Sequence, residues 1–114
     1  MIDWDKFNDY LQYYDKKLIR EVIDIFIRDY PQKISTLRKS VEEKDFPELD
    51  IIAHTLKSNC AIFGDMESKE LALKLELMGK NHVDEDMNEV FGQFVIATGK
   101  LIQELEQYRN TFSL

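Results

Sequence analysis

Cysteine is almost missing from this chain: Cys60 stands alone among 114 residues. One thiol cannot close an internal disulfide, and without a Cys cluster there is no structural zinc site to expect. Proline and glycine are scarce as well, at two and four, so few residues are present that punctuate turns or break helices. Basic residues are outnumbered, fifteen Lys and Arg against twenty-two Asp and Glu, for a net charge of −7. That balance argues against a phosphate-backbone partner, which calls for clustered Lys and Arg. It argues equally against an anionic membrane surface. No apolar run reaches the length needed to cross a bilayer. Met1-Ile2-Asp3-Trp4-Asp5 lacks the basic-then-apolar layout of a signal peptide. A reducing cytoplasm is therefore the expected setting.

What is present is helical spacing. Apolar residues recur at three and four positions and no period-two alternation is sustained, so the chain reads as all-α and as a single domain over residues 1–114. A short helix is predicted after Asp3 as N-cap, with Trp4, Phe7 and Leu11 inward. A second is predicted over 15–29, with Leu18, Val22, Ile25 and Phe26 at core spacing. Pro31 is expected to break or kink the chain, since it lacks an N–H and crowds the preceding turn. A third helix then spans 31–43, with Ile34, Leu37 and Val41 inward. Asp45 is a suitable N-cap for a fourth, with Pro47 in its first turn. Its stripe is Leu49, Ile52, Ala53, Leu56, Cys60 and Phe63, and Gly64 ends it as a C′ glycine. A fifth runs over 67–78 with Leu71, Ala72, Leu75 and Met78 inward, closed by Gly79. The sixth, over 85–109, carries Met87, Val90, Phe91, Phe94, Thr98, Leu101, Leu105 and Tyr108. Short loops join the last four, which predicts an antiparallel up-down-up-down four-helix bundle, core about 31–110, with two additional N-terminal helices over one end or flank.

The fourth stripe decides where His54 points. Ala53 and Leu56 face the core, so Asp50, His54, Lys57, Ser58 and Ala61 share another face. His54 is expected to stand exposed in mid-helix. Imidazole has a reference pKa of about 6.5, so it is largely neutral and nucleophilic near neutral pH. A ring nitrogen of this kind can take up a phosphoryl group and release it again. Phosphoryl transfer needs in-line positioning and neutralised charge more than covalent machinery. Lys57, one turn on, can bring an ammonium to phosphoryl oxygens. Ser58 and Ala61 give a low-relief surface for a partner, and Asp50 either orients the ring or is simply solvated. A lone surface histidine beside a lysine is, on spacing alone, more often just solvated surface.

Ala53-His54-Thr55-Leu56-Lys57-Ser58-Asn59-Cys60-Ala61-Ile62-Phe63-Gly64 resembles the signature of the histidine phosphotransfer (HPt) family, roughly A-H-x-L-K-G-S-[SA]-x-x-[hydrophobic]-G. Leu71, Ala72, Leu75, Glu76, Gly79 and Lys80 resemble its downstream L-[CA]-x-x-L-E-x-x-G-[RK] pattern, and Phe26, Pro31 and Leu37 its upstream F…P…L pair. The resemblance spans about residues 15 to 110. It implies a four-helix bundle with His54 as phosphoacceptor and Lys57 as supporting cation. It implies a stoichiometric phosphocarrier rather than an enzyme, with no ATP site and no cofactor of its own. The partner it implies is a response-regulator receiver domain, possibly of a hybrid sensor kinase, whose acidic pocket holds the Mg²⁺. Transient docking by a monomer is expected, through Asp50, Ser58 and Ala61. Two positions depart from the pattern: Ser58 stands where glycine is commonest, and Ser68 where leucine is common.

Other features weigh less. His82 with Asp84 and Asp86 reads as a solvated loop rather than a metal site. Cys60 reads as a small buried apolar residue, and Glu76 as part of a solvated face rather than as a group that orients a neighbour or caps a helix contact. Leu73 and Leu77 are expected to pack on the N-terminal helices, the alternative being an exposed patch used by a partner. Gly92 and Gly99 either permit close backbone approach or are ordinary surface positions. The rival to phosphotransfer is a helical adaptor that docks a receiver without exchanging phosphate. A hydrolase is disfavoured, because no nucleophile–base pair, phosphate-cradling loop or metal cluster is apparent.

Overall fold

The computed structural model describes residues 2–12 and 16–110. Among these there are five helices: α1 (Trp4–Leu11), α2 (Lys16–Glu42), α3 (Phe46–Ile62), α4 (Met66–Asn81) and α5 (Met87–Asn110). The chain is all-helical, as the spacing predicts. The expectations for the Trp4 and Leu11 side chains, and for Asp15 as a helix start, lie outside the described residues.

The count of six helices is corrected to five, because the second and third predicted helices are one. α2 runs for 27 residues straight through Pro31. Only one additional helix, α1, therefore precedes the four long ones. Proline forfeits one hydrogen bond and crowds the carbonyl four residues back. Burial on both sides of it offsets that cost: Ile19, Ile23 and Phe26 before it, and Leu37, Ser40 and Val41 after it, all lie in the core. The phase of the first half is also corrected by one residue. Leu18 and Ile25 are exposed and Val22 is half-buried, while Ile19 and Ile23 are buried.

α3 keeps its predicted stripe in full: Leu49, Ile52, Ala53, Leu56, Cys60 and Phe63 are all buried. The Asp45 carboxylate accepts the Glu48 N–H at 3.2 Å, capping the helix start. At the other end Gly64 has φ +69°. The Gly64 N–H reaches the Ala61 carbonyl and the Asp65 N–H reaches the Cys60 carbonyl, each at 3.1 Å. That pair of bonds is the Schellman arrangement that ends a helix on a left-handed residue. Asp65 then caps α4, and it is fully buried. The Ser68 N–H and hydroxyl both donate to its carboxylate, at 3.1 and 2.6 Å. Ser68, the departure from the leucine pattern, thus offers this buried carboxylate a hydroxyl donor that a leucine lacks.

The four long helices pack in a closed cycle, α3 against α4, α4 against α5, and α2 against both α3 and α5. Partners across two of these seams run in opposite order. Asp50 meets Lys80 while His54 meets Glu76; Asp24 meets Arg109 while Arg38 lies over Phe91. α3 and α4 are therefore antiparallel, and so are α2 and α5. The N-terminal segment closes the end that carries Gly64: Asp3 N–H donates to the Gly64 carbonyl at 3.0 Å. Behind it, the buried Phe7 ring packs on Phe63 and Tyr108.

Gly79 does not end α4, which continues to Asn81 and stops on His82 in the left-handed conformation, φ 53°. The His82 ring stacks on Phe46, centroids 5.0 Å apart. Leu73 and Leu77 do not pack on the N-terminal helix; they are exposed at 38% and 45%. No described helix is long and apolar enough to cross a membrane.

Candidate functional site

On α3 the buried stripe occupies one side of the helix, so residues half a turn away must face outward. His54 follows Ala53 and precedes Leu56 by two, and its side chain is 62% exposed. The predicted exposure in mid-helix is what the structure has. Lys57 is one turn further along and leans toward α4, with its side chain 23% exposed.

The residue that organises the pair is Glu76. It faces α3 from the middle of α4, and its side chain is only 4% exposed. The expectation of a solvated face is corrected: this carboxylate is buried between two cations-to-be. His54 Nδ1 lies 3.1 Å from Glu76 Oε2 and 3.4 Å from Oε1. Lys57 Nζ donates to Oε1 at 2.6 Å and to Oε2 at 3.3 Å. Burial pushes the Glu76 carboxyl up, but hydrogen bonds and charge from Lys57 and His54 outweigh burial, and the group is held below its ordinary value. It is therefore ionised at neutral pH.

That charge state fixes the chemistry of the ring. An ionised carboxylate only accepts. Nδ1 must then carry the hydrogen, which leaves Nε2 bare on the solvent side as the nucleophilic nitrogen. Lys57 uses its ammonium on Glu76 and, with three N–H donors, keeps at least one for an anion arriving beside the ring. The arrangement is an exposed imidazole with a cation one turn away and a buried carboxylate bonded to both.

The other sequence candidates are placed around it. Asp50 does not touch the ring; it pairs with Lys80 of α4 at 3.3 Å. The Ser58 hydroxyl donates back to the His54 carbonyl at 3.2 Å and so is tied to its own helix, a local bond that serine often makes in helices. Ala61 is exposed two turns beyond His54. The same face carries Ile51 and Ile62, exposed at 63% and 41%. Neither isoleucine was singled out by sequence. For Glu76 the sequence favours the solvated reading over an orienting one, although a signal exists: it shares a helix edge with Ala72 and Gly79, which points at a neighbouring backbone rather than at water. Cys60 is buried under the site, and its thiol is pushed up to about 12 by burial and by the Asp65 charge, so it is inert. Among the described residues no group of His, Cys, Asp and Glu forms a metal cluster, and His82 serves as a helix cap.

A family model, described as Hpt domain, matches residues 21–111 of the chain. No curated protein and no solved structure matches it.

Proposed function

Because this chain belongs to the Hpt domain family, we propose that it is a phosphorelay intermediate, taking a phosphoryl group onto His54 from one receiver aspartate and handing it to another. The observation that carries this reading is the ring itself, solvent-exposed and held at Nδ1 by Glu76. Nε2 attacks phosphorus in line, a P–N bond forms, and the bond from phosphorus to the aspartate oxygen breaks, releasing the carboxylate. The ring gains positive charge as it does so, and the Glu76 carboxylate stabilises the Nδ1–H that carries it. Lys57 offers its remaining N–H groups to the phosphoryl oxygens. Return transfer follows the same path backwards.

The partner is a receiver domain, free-standing or part of a hybrid sensor kinase. It docks on the exposed face of α3, where Asp50, Ser58 and Ala61 surround the ring and Ile51 and Ile62 add apolar area. The chain acts as a cytoplasmic monomer and as a stoichiometric carrier. Mg²⁺ belongs to the receiver, and no ATP site is needed here.

The test is phosphotransfer from a labelled receiver in the presence of Mg²⁺. The chain takes up label, and His54→Gln takes up none while keeping its helicity by far-ultraviolet circular dichroism. Undiminished labelling of that variant would remove His54 as the acceptor. Binding of receivers without any labelling of the unaltered chain would leave a docking adaptor instead.

A further inference from the structure

Gly79 lies against the backbone of α3. A Cβ at this position would stand 2.7 Å from the Asp50 nitrogen, 2.9 Å from the Phe46 carbonyl oxygen and 3.0 Å from the Asp50 Cα. All three atoms are backbone, so no side chain can swing aside to make room. Non-bonded contacts to carbon settle near about 3.5–4.0 Å, and any larger residue must push the helices apart. Gly92 and Gly99 are different, since a Cβ on either would meet nothing within 4 Å. The absence of a side chain is therefore required at Gly79 and at neither of those two.

The position of this contact matters for the site. Gly79 lies three residues after Glu76 on α4, and Asp50 lies four before His54 on α3. The close approach and the His54–Glu76 bond are adjacent layers of one antiparallel seam. We infer that Gly79 is a positioning residue for His54, holding α4 close enough for Glu76 to grip the imidazole and fix its tautomer. This rests on the reading of His54 as phosphoacceptor only where transfer rates are concerned.

The two bonds to Glu76 differ in tolerance. The ring has two torsions, and its nitrogen is 3.1 and 3.4 Å from the carboxylate oxygens, already in the long half of the hydrogen-bond range. Lys57 reaches the same carboxylate on a flexible stem at 2.6 Å. Widening the seam releases the ring first, while the lysine follows its partner. A released ring relaxes toward the Nε2–H form, and the nitrogen that faces the receiver then carries a hydrogen instead of a lone pair.

The experiment is nitrogen-15 NMR of the neutral His54 ring in Gly79→Ala, with Gly99→Ala as the control. The unaltered chain and the control show the Nδ1–H form. Gly79→Ala moves the ring toward the Nε2–H form and slows phosphoryl acceptance about tenfold to a hundredfold, the scale on which misplacement of a reacting group acts. Ring nitrogens unchanged in Gly79→Ala would overturn the inference, whatever the rate does. If the single variant does not fold, it is placed in a Gly92→Ala/Gly99→Ala background, where added helix propensity at two open positions restores stability. The same spectrum then decides. A shifted ring in a chain whose unaltered form takes no label supports the positioning role and removes the phosphoacceptor reading, so the two fail separately.

Discussion

Burial pushes the Glu76 carboxyl up, two neighbours hold it below its ordinary value, and that balance can be titrated. Its folded value lies below the ordinary 4.5, so its contribution to stability is present above that value and is lost as pH falls through the folded one. Glu76→Gln is expected to cost about 1.5–3 kcal/mol at pH 7, the scale of a lost charge-assisted bond. The gap to the unaltered chain then closes on acidification, because protonated Glu and Gln are alike in shape and charge. Urea melts between pH 7 and pH 3 measure this; a gap that stays constant would mean that Glu76 is not held as described. Lys57→Ala leaves helicity intact and slows phosphotransfer by about tenfold or more, the scale of removing one charge-stabilising donor. Single-turnover labelling checks it, and an unchanged rate would take Lys57 out of the mechanism. At this scale His54 and Lys57 were legible because their placement follows from one helix's own stripe. The partners of Glu76 were not legible, because they lie 19 and 22 positions away on another helix.

The second helix shows how an element can be anchored against its own sequence. Proline in a helix interior is about 3 kcal/mol less favourable than alanine, yet α2 continues through Pro31 with the core holding both halves. Pro31 itself is exposed. Pro31→Ala is therefore expected to raise stability by about 1–3 kcal/mol, with His54 labelling unchanged. Chemical denaturation reads the first and the transfer assay the second; a loss of stability would show that the proline geometry is required. The phase of α2 was ambiguous in the sequence for a related reason. Leu18-Ile19, Val22-Ile23 and Ile25-Phe26-Ile27 place apolar side chains on most of its circumference, so periodicity cannot choose among them. α3 was less ambiguous, because His54, Lys57 and Ser58 fall away from its stripe, although Ile51 and Ile62 face outward with them.

Across the whole molecule, the N-terminal segment ties the end that bears Gly64 into the core. Ile2 pairs with Asp65, Asp3 donates to Gly64, and Phe7 is buried on Phe63 and Tyr108. This connects the first helix to the C-terminal ends of α3 and α5. Phe7→Ala is expected to lower stability by about 3 kcal/mol, the usual scale for emptying a buried aromatic site. The His54 site, on the exposed middle of α3, should retain its labelling once folded. Thermal melts and transfer assays report the two. A melting point that does not move would show that the segment only rests on the core.

Sequence by itself determined the helical class, the stripe of α3, the Asp45 cap and the glycine stop at Gly64, and hence an exposed imidazole with a lysine one turn on. These are local: each depends on residues within a turn or two of one another, where spacing and backbone preference act directly. Tertiary structure alone decided that α2 is continuous, that its buried face is Ile19 and Ile23, that Glu76 is inside, and that Gly79 is a contact rather than a stop. Each of these depends on what another helix presents across a seam, and a single chain's periodicity carries no information about its neighbour's surface.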